Sequence, residues 1–281
     1  MQLVQMQPLI DVIKLTLQTG YIKHRETPVN LLLIAKPESA KTSAMAMFKI
    51  KGTHTTNNIT QAVLVSKILP MIENGGLKHL IIPDFLNAIE KDYTTRKGFL
   101  NLTKTLIEEG VTSLDTFHMR TLKVYNPPIQ CGLITGITTE SFHGQEYDRH
   151  QKRWKGGVRS NWKRTGLLSR FIPFSYQYEL SKIFAVFEFI EKEERGKSIL
   201  KQTVKRRMID VKGNAELFQK LQVLSMKIGE KTGGYGFRMQ RNLQVLAKAN
   251  AVLYGRSMVV QEDVDKVVHL GNWMNFDNNP L

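Results

Sequence analysis

The chain is poor in cysteine. Cys131 stands alone among 281 residues, which excludes an internal disulfide and any cysteine-cluster metal site. A single thiol fits a reducing, cytoplasmic setting. Long apolar runs are also lacking. The longest, such as Leu31 to Ala35, falls far short of the ~18 residues a spanning helix needs. No basic stretch leads into an apolar one at the start, so no signal peptide is expected. Neither a repeat nor a low-complexity linker is visible. Acidic residues are scarce relative to basic ones: 25 Asp and Glu face 40 Lys and Arg, a net charge of +15. Such an excess points to a polyanionic partner, either nucleic acid or an anionic membrane surface.

What is present is ordinary for a folded chain. Apolar residues make up 42%, aromatics 9% and charged residues 23%, which excludes a wholly disordered, collagenous or coiled-coil protein. The length suits one or two domains and a core that needs no covalent staples.

Periodicity organises the chain into two parts. Leu3, Met6, Leu9, Ile10, Ile13 and Leu17 recur at helical spacing, with Gly20 as the stop. Asn30 to Ala35 reads as a short buried strand, and Lys41 to Ile50 as a helix. Residues 60–74 look helical with an interruption at Pro70. Leu80-Ile81-Ile82 forms a second strand, ending in Pro83-Asp84-Phe85, and Tyr93 to Glu109 a helix. Val124 sits in a strand followed by a Pro127-Pro128 turn. Cys131–Ile137 and Ile172–Tyr176 supply two more β-favouring runs. After about Tyr178 the pattern is helical at 179–193, 214–229, 236–254 and 261–274. The expectation is an α/β core with a parallel sheet over residues 1–177, followed by an all-helical unit over 178–281.

The strand at 30–35 runs into Ala35-Lys36-Pro37-Glu38-Ser39-Ala40-Lys41-Thr42, and a helix follows. The phosphate-binding loop pattern G-x-x-x-x-G-K-[ST] has this strand–loop–helix setting. Lys41 and Thr42 are in place, and alanine replaces both glycines. The chemistry needs backbone N–H groups around phosphates, a Lys on the β/γ-phosphates and a hydroxyl on Mg²⁺. Ala40 can serve if its φ stays negative or the loop relaxes.

This stretch resembles the AAA+ ATPases, in particular the minichromosome-maintenance helicases and MoxR-type ATPases. The resemblance implies a P-loop core with a C-terminal all-helical lid, ATP and Mg²⁺ as cofactors, and Pro37, Glu38, Ser39, Ala40, Lys41 and Thr42 around the phosphates. Asp84 stands where the family usually has Asp-Glu, so a metal-linked role beside Thr42 is implied with one carboxylate short. Cys131 to Thr139 resembles the strand carrying the γ-phosphate sensor, with Thr138 as the sensor and Thr139 next. Gly166-Leu167-Leu168-Ser169-Arg170-Phe171 closely resembles the minichromosome-maintenance segment whose arginine enters the neighbouring subunit's site. Arg170 is then an arginine finger, a role suited to a planar guanidinium. The helix from Arg241 to Ala251 is similar to the lid helix whose arginine reaches back to the γ-phosphate, with Arg241 in that role and Arg238 as the alternative.

Two acid-free basic clusters stand out. Arg149, Lys152, Arg153, Lys155, Arg159, Lys163 and Arg164 interleave with Trp154 and Trp162. Arg195, Lys197, Lys201, Lys205, Arg206 and Arg207 form the second. Basic residues with aromatics suit a surface that tracks a nucleic-acid backbone. Together these features imply an oligomeric ATPase, ring or filament, acting on DNA and not on a membrane. The alternatives are an ATP-gated DNA scaffold without fast hydrolysis and a MoxR-like protein remodeller.

Overall fold

A computed structural model describes residues 6–23, 27–91, 93–114, 123–144, 146–148, 153–155, 157–191 and 202–281. Along the chain run α1 (Gln7–Thr19), β1 (Leu31–Ala35), α2 (Lys41–Ala46), β2 (Gly52–Thr55), α3 (Gln61–Val63), α4 (Leu69–Glu73) and β3 (Leu77–Ile82). Then come α5 (Leu86–Ile89), α6 (Tyr93–Leu106), β4 (Val111–Leu114), β5 (Lys123–Ile129), β6 (Gly132–Thr138) and α7 (Thr139–His143). A small hairpin of β7 (Glu146–Asp148) and β8 (Arg153–Lys155) precedes α8 (Val158–Arg164) and β9 (Ile172–Gln177). The last part holds α9 (Leu180–Glu191), α10 (Ala215–Gln219), α11 (Gln222–Thr232), α12 (Phe237–Leu253), α13 (Gln261–Leu270) and β10 (Asn279–Pro280).

Six strands form one sheet in the order β10-β9-β1-β6-β3-β2, and every neighbouring pair is parallel. The centre is apolar because a parallel sheet is covered on both faces. All five residues of β1 are buried, and they alternate between two cores. Leu31, Leu33 and Ala35 join α1, α2, α12 and α13 in one cluster. Leu32 and Ile34 join residues of the 59–107 helices and Trp162 of α8 in the other. This is the period-2 geometry of a strand read out as a three-layer α/β/α stack.

The helices after residue 178 do not form a separate core. Leu243, Leu246, Val252, Val264 and Val267 share their cluster with β1 and α1. β10 returns to the sheet beside β9. The chain therefore crosses the expected 177/178 boundary without leaving its core.

Two local expectations differ from the structure, and one strand has no counterpart among them. Residues 61–73 stay helical through Pro70 because a π-turn at Leu64–Ile68 absorbs the mismatch and Pro70 falls in the first turn of α4. The Pro127-Pro128 pair does not make a turn. Both prolines lie inside β5, whose sheet partner among the described residues is β4, and an edge strand tolerates missing N–H groups. β2 has no apolar pattern (Gly-Thr-His-Thr) and is held at the sheet edge by its ladder with β3.

Candidate functional site

The carboxyl ends of a parallel sheet are where ligands bind in open α/β folds. Here the ends of β1, β6 and β3 bring most of the motif residues together. Ala35 pairs with Thr138 in register, and Ile82 pairs with Thr135 on the next strand. Thr138 is the last residue of β6, and Lys41 and Asp84 follow the ends of β1 and β3.

Lys41 is turned onto the loop that precedes it. Its Nζ donates to the carbonyls of Ala35 at 2.7 Å and Lys36 at 2.9 Å, and to Ser39 Oγ at 3.1 Å. Burial lowers its pKa to about 8, while the charges of Glu140 and then Asp84 oppose the shift. The loop itself is strained. Glu38 and Ala40 both have φ of 60°, the left-handed region that a side chain with Cβ visits at a cost. The φ of Ala40 therefore does not stay negative, and this alanine occupies a conformation suited to glycine. Two tyrosines of the neighbouring chain segment hold the loop in place. Tyr176 and Tyr178 both donate to the Ser39 carbonyl, at 2.9 and 3.2 Å. Gly136 of β6 is needed beneath. A Cβ there would meet the Pro83 carbonyl at 2.7 Å and the Lys41 stem at 3.7 Å.

Asp84 acts as a local cap. It accepts from Leu86 N at 3.0 Å and from Asn87 Nδ2 at 3.2 Å. Thr138 caps α7 in the same way, accepting from Ser141 N at 3.3 Å and donating to Ser141 Oγ at 2.8 Å. Thr139 contacts Asn278 Oδ1 at 3.4 Å. Thr42 is exposed beside Lys41. Sequence reasoning missed Glu140, Tyr176 and Tyr178. An exposed Glu in the first turn of α7 carries no motif, and only the adjacency of β6 to β1 places it near Lys41. Thr42, Asp84 and Glu140 offer oxygen donors alone, a set suited to Mg²⁺. Among the described residues no group of three His, Cys, Asp or Glu gathers. A divalent ion here would therefore depend on phosphate oxygens of its ligand.

The arginines lie at the opposite, amino edge. Asn30 and Glu108 organise them. Buried Asn30 donates to the carbonyls of Ile107 and Arg170, both at 3.1 Å, and accepts from Leu133 N at 2.9 Å. Arg170 Nε pairs with Glu108 at 2.6 Å, and its guanidinium also donates to Gly166 O at 2.6 Å. Arg238 pairs with the other oxygen of Glu108 and donates to Ser169 Oγ at 2.6 Å. Arg170, Arg238 and Arg241 line one small cavity of about 60 Å³ with Asn30 and Glu108. Arg241 therefore does not stand beside Lys41 in its own chain. The N-terminal end of α12 lies at the amino edge, next to the segment that precedes β9, so its arginines join Arg170.

The first basic cluster is only partly described. Arg149 and Lys152 lie outside the described residues, and for Arg153 and Lys155 the backbone of β8 alone is described. Arg159 of α8 stacks on Phe276, 4.7 Å from the ring centre. Lys163 and Arg164 are exposed on the same helix. Trp162 is a core residue, edge-on to Phe85 at 5.1 Å. Of the second cluster, Arg195, Lys197 and Lys201 lie outside the described residues, while Lys205, Arg206 and Arg207 are exposed. Among the described residues no helix is long and apolar enough to cross a membrane. Compared with models of protein families the chain matches none, and a search of curated proteins finds no match for it.

Proposed function

We propose that the protein is an AAA+-like ATPase that binds ATP and Mg²⁺ at the carboxyl edge of its sheet, assembles head to tail, and acts on DNA. One observation carries this: a lone, partly buried ammonium, Lys41, folded over a strained loop at the end of the central strand, with Asp84 and Glu140 in electrostatic reach. Lys41 would exchange its loop carbonyls for the β/γ-phosphates. Thr42 and Asp84 would hold the ion, which would neutralise phosphate charge, and Glu140 would supply the second carboxylate that the β3 end lacks. Thr138 would orient water. Arg170, Arg238 and Arg241 sit on the far edge, so they would serve the site of the next copy and not their own. The exposed α8 and 205–207 cations would meet the DNA backbone.

A second reading has support of its own. Both oxygens of Asp84 already accept hydrogen bonds within the chain, which favours a nucleotide-gated DNA scaffold with slow turnover; such gating needs only differential affinity between two states.

The test is ATP binding and turnover by wild type, Lys41→Ala, Arg170→Ala and a mixture of the two variants. Lys41→Ala loses binding. Arg170→Ala binds but does not turn over, and mixing restores activity, because each variant keeps one half of a shared site. Binding without turnover in wild type selects the scaffold. Absence of ATP binding in wild type sinks both.

A further inference from the structure

The loop between α11 and α12 displays two aromatic rings. Tyr235 and Phe237 are 83% and 79% exposed. Their one ring contact among the described residues is with each other, with centres 5.8 Å apart and planes at 28°. The loop is not free to fold them inward. Gly233 and Gly236 have φ of 85° and 89°, a region open to glycine at little cost. A Cβ on Gly236 would meet the Ser225 carbonyl oxygen at 2.5 Å, and one on Gly229 would meet the Gly236 nitrogen at 2.3 Å. The loop backbone is pressed onto α11, and only the outer side is left for the rings.

A basic helix lies alongside. The stem of Lys163 on α8 rests on the loop, where a Cβ on Gly233 would meet its Cε at 2.8 Å. Lys163, Arg238 and Arg241 line a hollow of about 340 Å³ beside the rings, a size at the small end of ligand sites. Arg238 is already paired with Glu108, and Arg241 also lines the small cavity at the amino edge. Lys163 is outside that group. It and its neighbour Arg164 are exposed, and neither has a carboxylate partner among the described residues.

We propose that the Tyr235–Phe237 pair is a stacking platform for the bases of single-stranded DNA, whose phosphates lie along Lys163 and Arg164. This rests on the DNA reading above and adds to it the form of the DNA and the place where it is held. Every base has a π-face, so exposed rings bind bases without regard to sequence. In a duplex those faces are covered by neighbouring base pairs, so the rings reach a single strand alone. The α8 cations supply the backbone attraction that rings lack, in a chain whose net charge is +15. An apolar protein surface laid on the rings would leave Lys163 without a partner, whereas a phosphate neutralises it.

The test is fluorescence anisotropy of the full chain with labelled dT20 and with a duplex of the same length, with and without ATP. Replacing both rings, Tyr235→Ala with Phe237→Ala, weakens dT20 binding by about tenfold or more, as the loss of one or two stacked bases requires. Duplex binding is unchanged. Circular dichroism is also unchanged, because both rings are exposed. Tyr235→Trp keeps a ring face and keeps the affinity, and dT20 quenches the added indole. Lys163→Ala lowers the slope of log affinity against log salt on dT20 by about 0.7.

Equal losses on dT20 and duplex overturn the stacking. Unchanged dT20 affinity in the double variant overturns the site and leaves the DNA reading standing. If that variant also falls in mass by light scattering, the rings are a protein contact instead. Wild type that binds neither DNA form, with or without ATP, sinks the DNA reading and this proposal with it.

Discussion

The two edges of the sheet carry positive charge in opposite ways. At the carboxyl edge one ammonium, Lys41, is held by neutral carbonyls and a hydroxyl, with carboxylates only at a distance. At the amino edge two guanidinium groups share one carboxylate, Glu108. The first arrangement leaves a charge that gains by finding a phosphate. In the second, Glu108 compensates part of the charge, and Gly166 and Ser169 fix the direction of the two guanidinium groups. The lone ammonium and the paired guanidinium groups are separated by the length of the strands between them.

The sharpest way to break this contrast is Glu108→Ala. It strips both Arg170 and Arg238 of a partner in a part-buried cluster, and its expected cost is about 3 kcal/mol by urea unfolding. A loss below about 1 kcal/mol would place these pairs with ordinary exposed ones and erase the difference between the edges.

Acid comes next, and it acts through the amino half. His79 on β3 is fully buried, and burial lowers its pKa to about 3. The unfolded chain takes up a proton below about pH 6.5 and the folded chain does not, so stability falls as pH drops through that window at about 1.4 kcal/mol per unit. About 2 kcal/mol is lost by pH 5. His79→Gln should flatten this part of the profile, and an unchanged slope would show that other groups produce it.

Alkali should act on the carboxyl edge instead. The Lys41 pKa of about 8 lies below that of a free lysine. Above it the free site loses its charge, so ATP affinity declines by up to about tenfold per pH unit. Lys41→Arg, whose guanidinium does not titrate there, should give a flat profile between pH 7 and 9. Equal profiles would separate phosphate binding from this ammonium.

The smallest effect tests the loop strain. Ala40→Gly should raise stability by about 1 kcal/mol, because φ of 60° costs alanine roughly that much. Destabilisation would mean that glycine's unfolded-state entropy outweighs the relief.

Much of the sheet was legible because its central strands are buried on both faces. Leu31–Ala35 is apolar at every position, and in Ile172–Tyr176 Ser175 alone breaks the apolar run, bonded to Asn278. β2 was not, since a polar edge strand takes its shape from the ladder with β3. The prolines of β5 misled for a related reason: among the described residues β5 has one strand neighbour, β4, and an edge position makes them tolerable. At the site, Lys41, Thr42, Asp84 and Thr138 were legible as residues at or just after strand ends, and parallel strands bring their ends together. That Arg241 lies at the amino edge, away from Lys41 of its own chain, was not legible. Helical periodicity gives the buried face of α12 but not the direction in which the helix lies on α1. Glu140 and the two tyrosines belong to no pattern along the chain, and only the strand order brings them to the loop.

The core shared by β1, α1 and α12 has a mechanical meaning. Leu243, Leu246 and Ala247 are fully buried with Leu9 and Ile13 of α1. A swing of α12 away from the sheet would open that core to water, at roughly 25 cal/mol for each Å² exposed. Sheet and C-terminal helices therefore form a single lever. A displacement at Lys41 would therefore be carried to Arg238 as rotation of one body and not as a hinge within it.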